Sequence, residues 1–123
     1  MDAETVLYRT DGACRSQRTD DDNCCAFAAI RWQGGSVTGR HACMLGSVTN
    51  NIAEYCGLLS ALQDALGRRF QRIALQTDSL LVARQVTGVW RCRSAELVPY
   101  YQKALHLLRQ LRESGGAAYL QGV

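Results

Sequence analysis

The sequence predicts an α/β domain in which helices pack on a mixed five-stranded sheet. Three observations support this fold class. Apolar segments of strand length dominate the amino-terminal third, an apolar period of three to four residues begins near residue 51, and short strands then alternate with helices. A chain of 123 residues that is 47% hydrophobic and 20% charged can build one core but not two. We therefore expect a single domain over residues 1–123.

The amino-terminal third predicts an antiparallel meander. Asp11-Gly12 ends the first strand, because both residue types tolerate turn dihedrals. The sequence Gln33-Gly34-Gly35-Ser36 is typical of a hairpin turn between the second and third strands. The predicted elements are strands at residues 4–10, 24–32 and 38–45 and a polar loop at residues 12–23.

The rest of the chain predicts three helices and two strands. Apolar side chains on one helical face define the first helix, which Gly67 ends, and Pro99 suits the first turn of the third helix. The predicted elements are helices at residues 51–66, 79–87 and 99–113 and strands at residues 72–77 and 117–123. The complete order is β-β-β-α-β-α-α-β, in which hairpin strands join parallel strands through helices.

Composition narrows the possible locations and partners. No apolar run approaches the roughly 20 residues that cross a bilayer, and the acidic amino terminus lacks a secretory signal pattern. We therefore expect an intracellular protein that is neither secreted nor bound to a membrane. The net charge of +3 is modest, but Lys103 is the single lysine among the 14 basic residues. This arginine bias fits phosphate recognition and fits codon bias equally well.

The six cysteines are expected to be reduced. Their even number permits a disulfide framework, but the chain is long enough to fold without one and lacks a secretory signal. No pair has the Cys-x-x-Cys spacing of a zinc site. The cysteines are Cys14, Cys24, Cys25, Cys43, Cys56 and Cys92.

Three acidic residues are candidates for a metal site. Asp11 could simply end a strand, Glu54 could complete a capping box with Asn51, and Asp78 could cap the helix that follows it. Taken together, Asp11 and Asp78 end two strands, and Glu54 lies beside the apolar face of the first helix. Converging carboxylates repel one another unless a cation lies between them, and oxygen ligands of this kind suit Mg²⁺ or Mn²⁺. The three residues therefore predict a site for divalent cations.

Four segments resemble the ribonuclease H family. Residues 8–13 (YRTDGA), 49–55 (TNNIAEY) and 76–82 (QTDSLLV) match its metal-binding segments in order and spacing. They look most like the branch found in reverse-transcriptase-related and plant proteins, in which a Gly-x-Trp such as residues 88–90 often follows. The Thr-Asn-Asn-x-Ala-Glu segment is the most specific of the four. The resemblance covers essentially the whole chain and agrees with the predicted element order.

The resemblance implies an endonuclease that hydrolyses the RNA strand of RNA/DNA hybrids with two Mg²⁺ or Mn²⁺ ions. Asp11 would bridge two ions about 4 Å apart, and Glu54 and Asp78 would each complete one coordination shell. The four segments that resemble the family, and the loop that contains Arg91 and Arg93, would contact the nucleic acid. The residues assigned to these contacts are Gly12, Thr49, Asn50, Asn51, Ser79, Trp90, Arg91 and Arg93. For the last three, a solvated loop with Trp90 packed on the core is an equally good interpretation.

The chain departs from the family pattern at two places. The acidic run Asp20-Asp21-Asp22 would repel a phosphate backbone that it faced. The sequence also ends where the family continues with a helix that carries a fourth metal-binding Asp, so we expect a domain that lacks this carboxyl-terminal helix. His41 and His106 do not match the position of the family histidine and are expected to be structural.

These departures leave a second function open. The domain could be a non-catalytic module that binds nucleic acid or a protein partner within a larger polypeptide or assembly. An actin-like nucleotide-binding half has related topology, but it would need glycine-rich phosphate loops that this sequence lacks. Retention of three mutually repelling carboxylates favours the enzyme, and the missing fourth acid favours the binding module.

Overall fold

The computed structural model describes residues 4–16 and 23–122, and its elements follow the predicted order. The strands are β1 (Val6–Ser16), β2 (Asn23–Gln33), β3 (Ser36–Gly46), β4 (Arg72–Thr77) and β5 (Ala117–Gly122), and the helices are α1 (Asn50–Gly67), α2 (Leu80–Val86) and α3 (Val98–Glu113). The predicted hairpin turn is confirmed, since Gly34 and Gly35 have φ values of 58° and 81°. Within the described residues, no helix is long and apolar enough to cross a membrane.

The first strand is longer than the sequence indicates. β1 continues through Asp11 to Ser16, and its last residues pair with the start of β2, from Asp11 opposite Ala28 to Ser16 opposite Asn23. The predicted loop at residues 12–23 is therefore wrong at both of its ends. The polar segment forms strand because the β2 backbone supplies its hydrogen-bond partners, which composition does not reveal. Residues 17–22 lie outside the described residues, and they include the acidic run Asp20-Asp21-Asp22.

The sheet has the order β3-β2-β1-β4-β5, with β1 antiparallel to β2 and parallel to β4. The mixed five-stranded sheet of the prediction is confirmed. Tyr8 and Thr10 of β1 are buried on the face that α1 covers, whereas the alternating residues Arg9 and Asp11 are exposed on the other face. The largest fully buried side chains lie between the sheet and the helices; they include Tyr8, Tyr55, Leu58, Leu62, Ile73, Leu75 and Leu111.

Two contacts hold α1 in register on the sheet. The α-carbon of Gly12 lies so close to α1 that an added Cβ would be 2.3 Å from the carbonyl carbon of Ala53. Farther along α1, Asp64 accepts hydrogen bonds at 2.6 Å from both Tyr8 Oη of β1 and Arg31 Nη1 of β2. Arg31 is buried, so its guanidinium depends on this ion pair for its charge partner. α1 thus carries Glu54 into a position that β1 and β2 define.

The prediction that every cysteine is reduced is wrong. The β1–β2 register places Cys14 opposite Cys25, with 4.0 Å between their α-carbons, and a disulfide joins the two residues. The pairing arises because the two strands fold back on each other, which a separation of 11 residues in the chain does not indicate. The other four cysteines are free.

Candidate active site

Asp11, Glu54 and Asp78 come together as predicted. One carboxylate oxygen from each residue lies within 4.8 Å of the other two. The last paired residues of β1 and β4 are Thr10 and Thr77, so the chain order places Asp11 and Asp78 directly after them on neighbouring strands. Because β1 continues as a strand with β2, Asp11 is not at the strand end that the sequence predicts. It lies instead where the pairing with β4 ends.

The observed helix caps show that two of these acids do not have the capping roles that the sequence allowed for them. The side chain of Thr49 accepts a hydrogen bond from Ile52 N at 3.2 Å and caps α1, and α1 has no acidic residue in its first turn. Ser79 accepts from Val82 N at 3.2 Å and caps α2. Glu54 and Asp78 are therefore not used as caps, and both carboxylates face the same cluster.

The electrostatics of the cluster fit a cation. Glu54 is 4% exposed, and its Oε2 has no hydrogen-bond partner among the described residues. Burial, and then the charges of Asp78 and Asp11, raise the pKa of Glu54 from 4.5 to about 7. Although Asp11 is exposed, partial desolvation of its carboxylate and the charge of Asp78 also raise its pKa. An ion bound here would satisfy the orphaned oxygen and offset the repulsion, so the donor set suits a hard divalent metal.

The raised pKa of Glu54 predicts how the metal-free domain responds to pH. The folded state holds the Glu54 proton up to about pH 7, whereas the unfolded chain releases it near pH 4.5. The free energy of unfolding should therefore fall as pH rises between these values, by on the order of 2 kcal/mol. Urea unfolding in EDTA at several pH values measures this change. Mg²⁺ should restore stability at the upper end of the range, and Glu54→Gln should remove both effects; a slope that survives this substitution would contradict the assignment.

Two residues near the cluster were not predicted from the sequence. An open pocket of about 330 Å³ adjoins Asp11 and Asp78 on the sheet face opposite α1, with Ala28 and Ile30 among its lining residues. Arg9 Nε donates to Gln76 Oε1 at 3.0 Å in this lining. Arg9 lies two positions before Asp11, and Gln76 lies two positions before Asp78. Because side chains alternate between the two faces of a strand, this spacing puts each residue on the same face as the acid that follows it. The spacing could have been used to predict both residues from the sequence.

The predicted nucleic-acid residues divide into two groups. Thr49, Asn51, Arg91 and Arg93 line one pocket of about 350 Å³. Trp90 is 44% exposed, which does not support the interpretation that it packs on the core. The other residues assigned to nucleic-acid contacts are not among those that line this pocket.

Gly12 and Ser79 have structural contacts that account for them. Gly12 is buried against the α1 backbone, and Ser79 caps α2. Asn50 is exposed at the first turn of α1. His41 lies in β3, where its Nδ1 is 2.7 Å from Ser60 Oγ, and His106 is exposed on α3. Neither histidine belongs to the carboxylate cluster, and their structural role stays a prediction.

Comparisons with known proteins identify the family of this fold. The bifunctional protein Rv2228c of Mycobacterium tuberculosis is 30% identical over 109 residues, which are 87% of this chain and 29% of that protein. The chain thus spans less than a third of the mycobacterial proteins that it matches. The solved structure of the amino-terminal RNase H domain of that protein, as a fusion with maltose-binding protein, has a TM-score of 0.83 at 26% identity, with 98% of this chain and 83% of that chain covered.

An archaeal structure gives the same result. RNase H1 from Halobacterium salinarum has a TM-score of 0.81 at 29% identity, covering 97% of this chain and 85% of that chain. A model of the family described as reverse transcriptase-like matches residues 9–115, a range that contains the whole carboxylate cluster. The chain therefore belongs to the reverse transcriptase-like family, and its fold is that of a ribonuclease H domain.

Proposed function

We propose that this domain is a metal-dependent endonuclease that hydrolyses the RNA strand of RNA/DNA hybrids. The observation that carries the proposal is the convergence of Asp11, Glu54 and Asp78, with a buried and unpartnered oxygen on Glu54. A structural role does not explain why three carboxylates converge, with the pKa values of Glu54 and Asp11 both raised. The similar archaeal protein is named RNase H1, which supports the same activity for this fold.

The acidic residues would hold the metal, for which we propose two ions of Mg²⁺ or Mn²⁺. Asp11, Glu54 and Asp78 would hold the ions together, because one carboxylate oxygen of each lies within 4.8 Å of the other two. Divalent ions held by these residues would supply Lewis acidity, which would lower the pKa of a bound water and offset the charge on the leaving oxygen of a phosphodiester. Glu54, fixed by the packing of α1, contributes a carboxylate that cannot move far, and Asp78 completes the set from the end of β4.

The substrate surface would begin beside the metal site. Thr49, Asn50 and Asn51 form the first turn of α1 and its cap, one helical turn before Glu54. Hydroxyl and amide groups at this position suit the RNA backbone and its 2′-hydroxyls. Arg91 and Arg93 line the same pocket as Thr49 and Asn51 and supply positive charge for phosphates.

The direct test uses a labelled RNA strand. The purified protein should cleave that strand when it is paired with DNA in the presence of Mg²⁺ or Mn²⁺. It should leave the RNA intact in EDTA, and it should leave the DNA strand and duplex DNA intact. Cleavage that persists in EDTA would argue against the metal site, and a protein that binds the hybrid without ever cutting it would be a binding module.

The non-catalytic alternative is supported by one observation. The sheet face opposite α1 carries large apolar side chains that are exposed, since Met44 is 67% exposed and Tyr119 is 64% exposed. Such a face suits contact with a further polypeptide segment or a protein partner.

An intracellular location stays a prediction.

Chain length should affect activity strongly. The last residue of β5, Gly122, pairs with Thr77, so β5 ends beside the residue that precedes Asp78. We expect residues 1–123 alone to cleave hybrids weakly, because three acids hold a second ion less well than four. A longer form with an Asp-bearing helix after Val123, if the gene encodes one, should cleave faster by orders of magnitude. Cleavage assays on both lengths measure the difference, and equal rates would show that residues 1–123 form the complete site.

A further inference from the structure

Gln85 is a buried polar residue that the carboxylate cluster does not use. It lies on α2, is 5% exposed, and accepts a hydrogen bond of 2.6 Å at its Oε1 from Tyr55 Oη. Tyr55 lies on α1 next to Glu54 and is completely buried, and its hydroxyl is the donor of this bond because an amide oxygen can only accept. The amide oxygen is thus occupied, and the amide nitrogen is the end available to other partners.

The side chain of Gln85 lines the same pocket as the predicted nucleic-acid residues. The lining residues include Thr49, Asn51, Gln85, Arg91, Arg93 and Ser94. Guanidinium, amide and hydroxyl groups offer mainly hydrogen-bond donors, and Arg91 and Arg93 add two positive charges. Glu96 is the acidic member of the lining and is exposed. A pocket of this kind suits an anion that accepts several hydrogen bonds, and a phosphodiester group has that chemistry.

The pocket and the metal cluster both use α1, and both use residues at or just before the start of α2. Asn51 lines the pocket and Glu54 belongs to the cluster, three residues apart on α1 and separated by about 4.5 Å along its axis. Leu81 lines the pocket and Asp78 belongs to the cluster, again three residues apart. A strand held in the pocket therefore has a defined position relative to the carboxylates.

We propose that Gln85 is a positioning residue, oriented by Tyr55, whose amide nitrogen donates to a backbone phosphate of the nucleic-acid strand beside the metal site. This inference rests on the proposed function, because it names how the same substrate is held. The hydrogen bond from Tyr55 fixes the orientation of the Gln85 amide. Arg91 and Arg93 add positive charge to the pocket lining, which also includes Thr49, the cap of α1. Because this contact is made to a backbone phosphate, it does not depend on the base sequence.

Two substitutions at Gln85 separate this role from a structural one. Gln85→Glu keeps an acceptor for Tyr55 but replaces the donor with a carboxylate, and Gln85→Met removes both groups. We expect the dissociation constant of a short fluorescent RNA/DNA hybrid, measured in EDTA to prevent cleavage, to rise roughly 10-fold for Met and more for Glu. A role limited to the bond with Tyr55 predicts the opposite order, with Glu close to the unmodified protein. Circular dichroism melting identifies the temperature at which each variant is folded.

The salt dependence of binding distinguishes Gln85 from the arginines. Arg91→Ala combined with Arg93→Ala should make the plot of log affinity against log salt shallower by about one to two units, because fewer counterions are released. Gln85→Met is neutral and should lower affinity without changing that slope. Arg109→Ala combined with Arg112→Ala on exposed positions of α3 is the matched control and should leave both quantities unchanged. An unchanged slope for the first pair would place Arg91 and Arg93 in a solvated loop.

The unmodified protein supplies an independent readout. The NMR signals of the Gln85 side-chain amide should shift when the hybrid binds. If the hybrid binds but these signals do not move, or the Gln85 variants bind normally, the inference about Gln85 is wrong and the proposed function is unaffected. If the unmodified protein does not bind the hybrid at all, the proposed function itself is wrong.

Discussion

Asp11→Asn should reduce hybrid cleavage by roughly 1000-fold or more while the domain stays folded. The substitution keeps the shape of the side chain but removes one of the three converging negative charges. A metal site that loses its shared carboxylate loses several kcal/mol of transition-state stabilisation, and each 1.4 kcal/mol corresponds to about a factor of ten in rate. Initial rates on a labelled hybrid with Mg²⁺ measure the effect.

The same substitution should not destabilise the metal-free protein. Partial desolvation and the charge of Asp78 disfavour the Asp11 carboxylate and raise its pKa, so a neutral amide relieves repulsion. We expect the melting temperature in EDTA to be equal to or higher than that of the unmodified protein. Glu113→Gln at the exposed end of α3 is the matched control and should change neither rate nor stability. A variant that keeps its activity would remove Asp11 from the active site, and one that unfolds would assign it a structural role.

Gly12→Ala should destabilise the domain by about 3 kcal/mol or more and should also abolish activity. A Cβ at residue 12 would lie 2.3 Å from the carbonyl carbon of Ala53 and 2.4 Å from the backbone nitrogen of Glu54. These are backbone atoms of α1, so no side chain can rotate to make room. The helix would have to move off β1, which would carry Glu54 away from the other two acids and open the core. The free energy of unfolding in urea measures the loss.

Gly67→Ala is the control for this prediction. Gly67 ends α1, and a Cβ there would meet nothing within 4 Å, so the substitution should be neutral or slightly stabilising through helix propensity. If Gly12→Ala were as stable as Gly67→Ala, the close approach of β1 and α1 would be wrong. If it were destabilised but fully active when folded, Glu54 would not depend on that approach.

Much of the fold could be predicted from local patterns. The apolar period of α1 and the positions of Gly34 and Pro99 depend on neighbours within a few residues, and the structure agrees with each of them. The order of all eight elements followed from these signals. The three acids of the cluster were predicted from their places at the ends of elements and from the resemblance of the surrounding segments. Their convergence is confirmed, and their catalytic role stays a prediction.

Other features depend on partners that are distant in the chain. The continuation of β1 past Asp11 and the disulfide between Cys14 and Cys25 both result from the pairing of β1 with β2. Polar composition and chain length predicted a loop and reduced thiols instead. Tertiary pairing overrides such local preferences because a strand's hydrogen-bond partners lie on another segment.

The sequence by itself determined the number, type and order of the helices and strands, and it indicated which acids form the candidate site. Only the tertiary structure decided that Glu54 is buried with an unpartnered oxygen, that Gly12 touches the backbone of α1, and that Tyr55 orients Gln85 from 30 positions away. The physical reason is that periodicity reports which side of an element faces the core. It does not report which group on another element that side meets, and burial, charge and hydrogen bonding at the site depend on that second group.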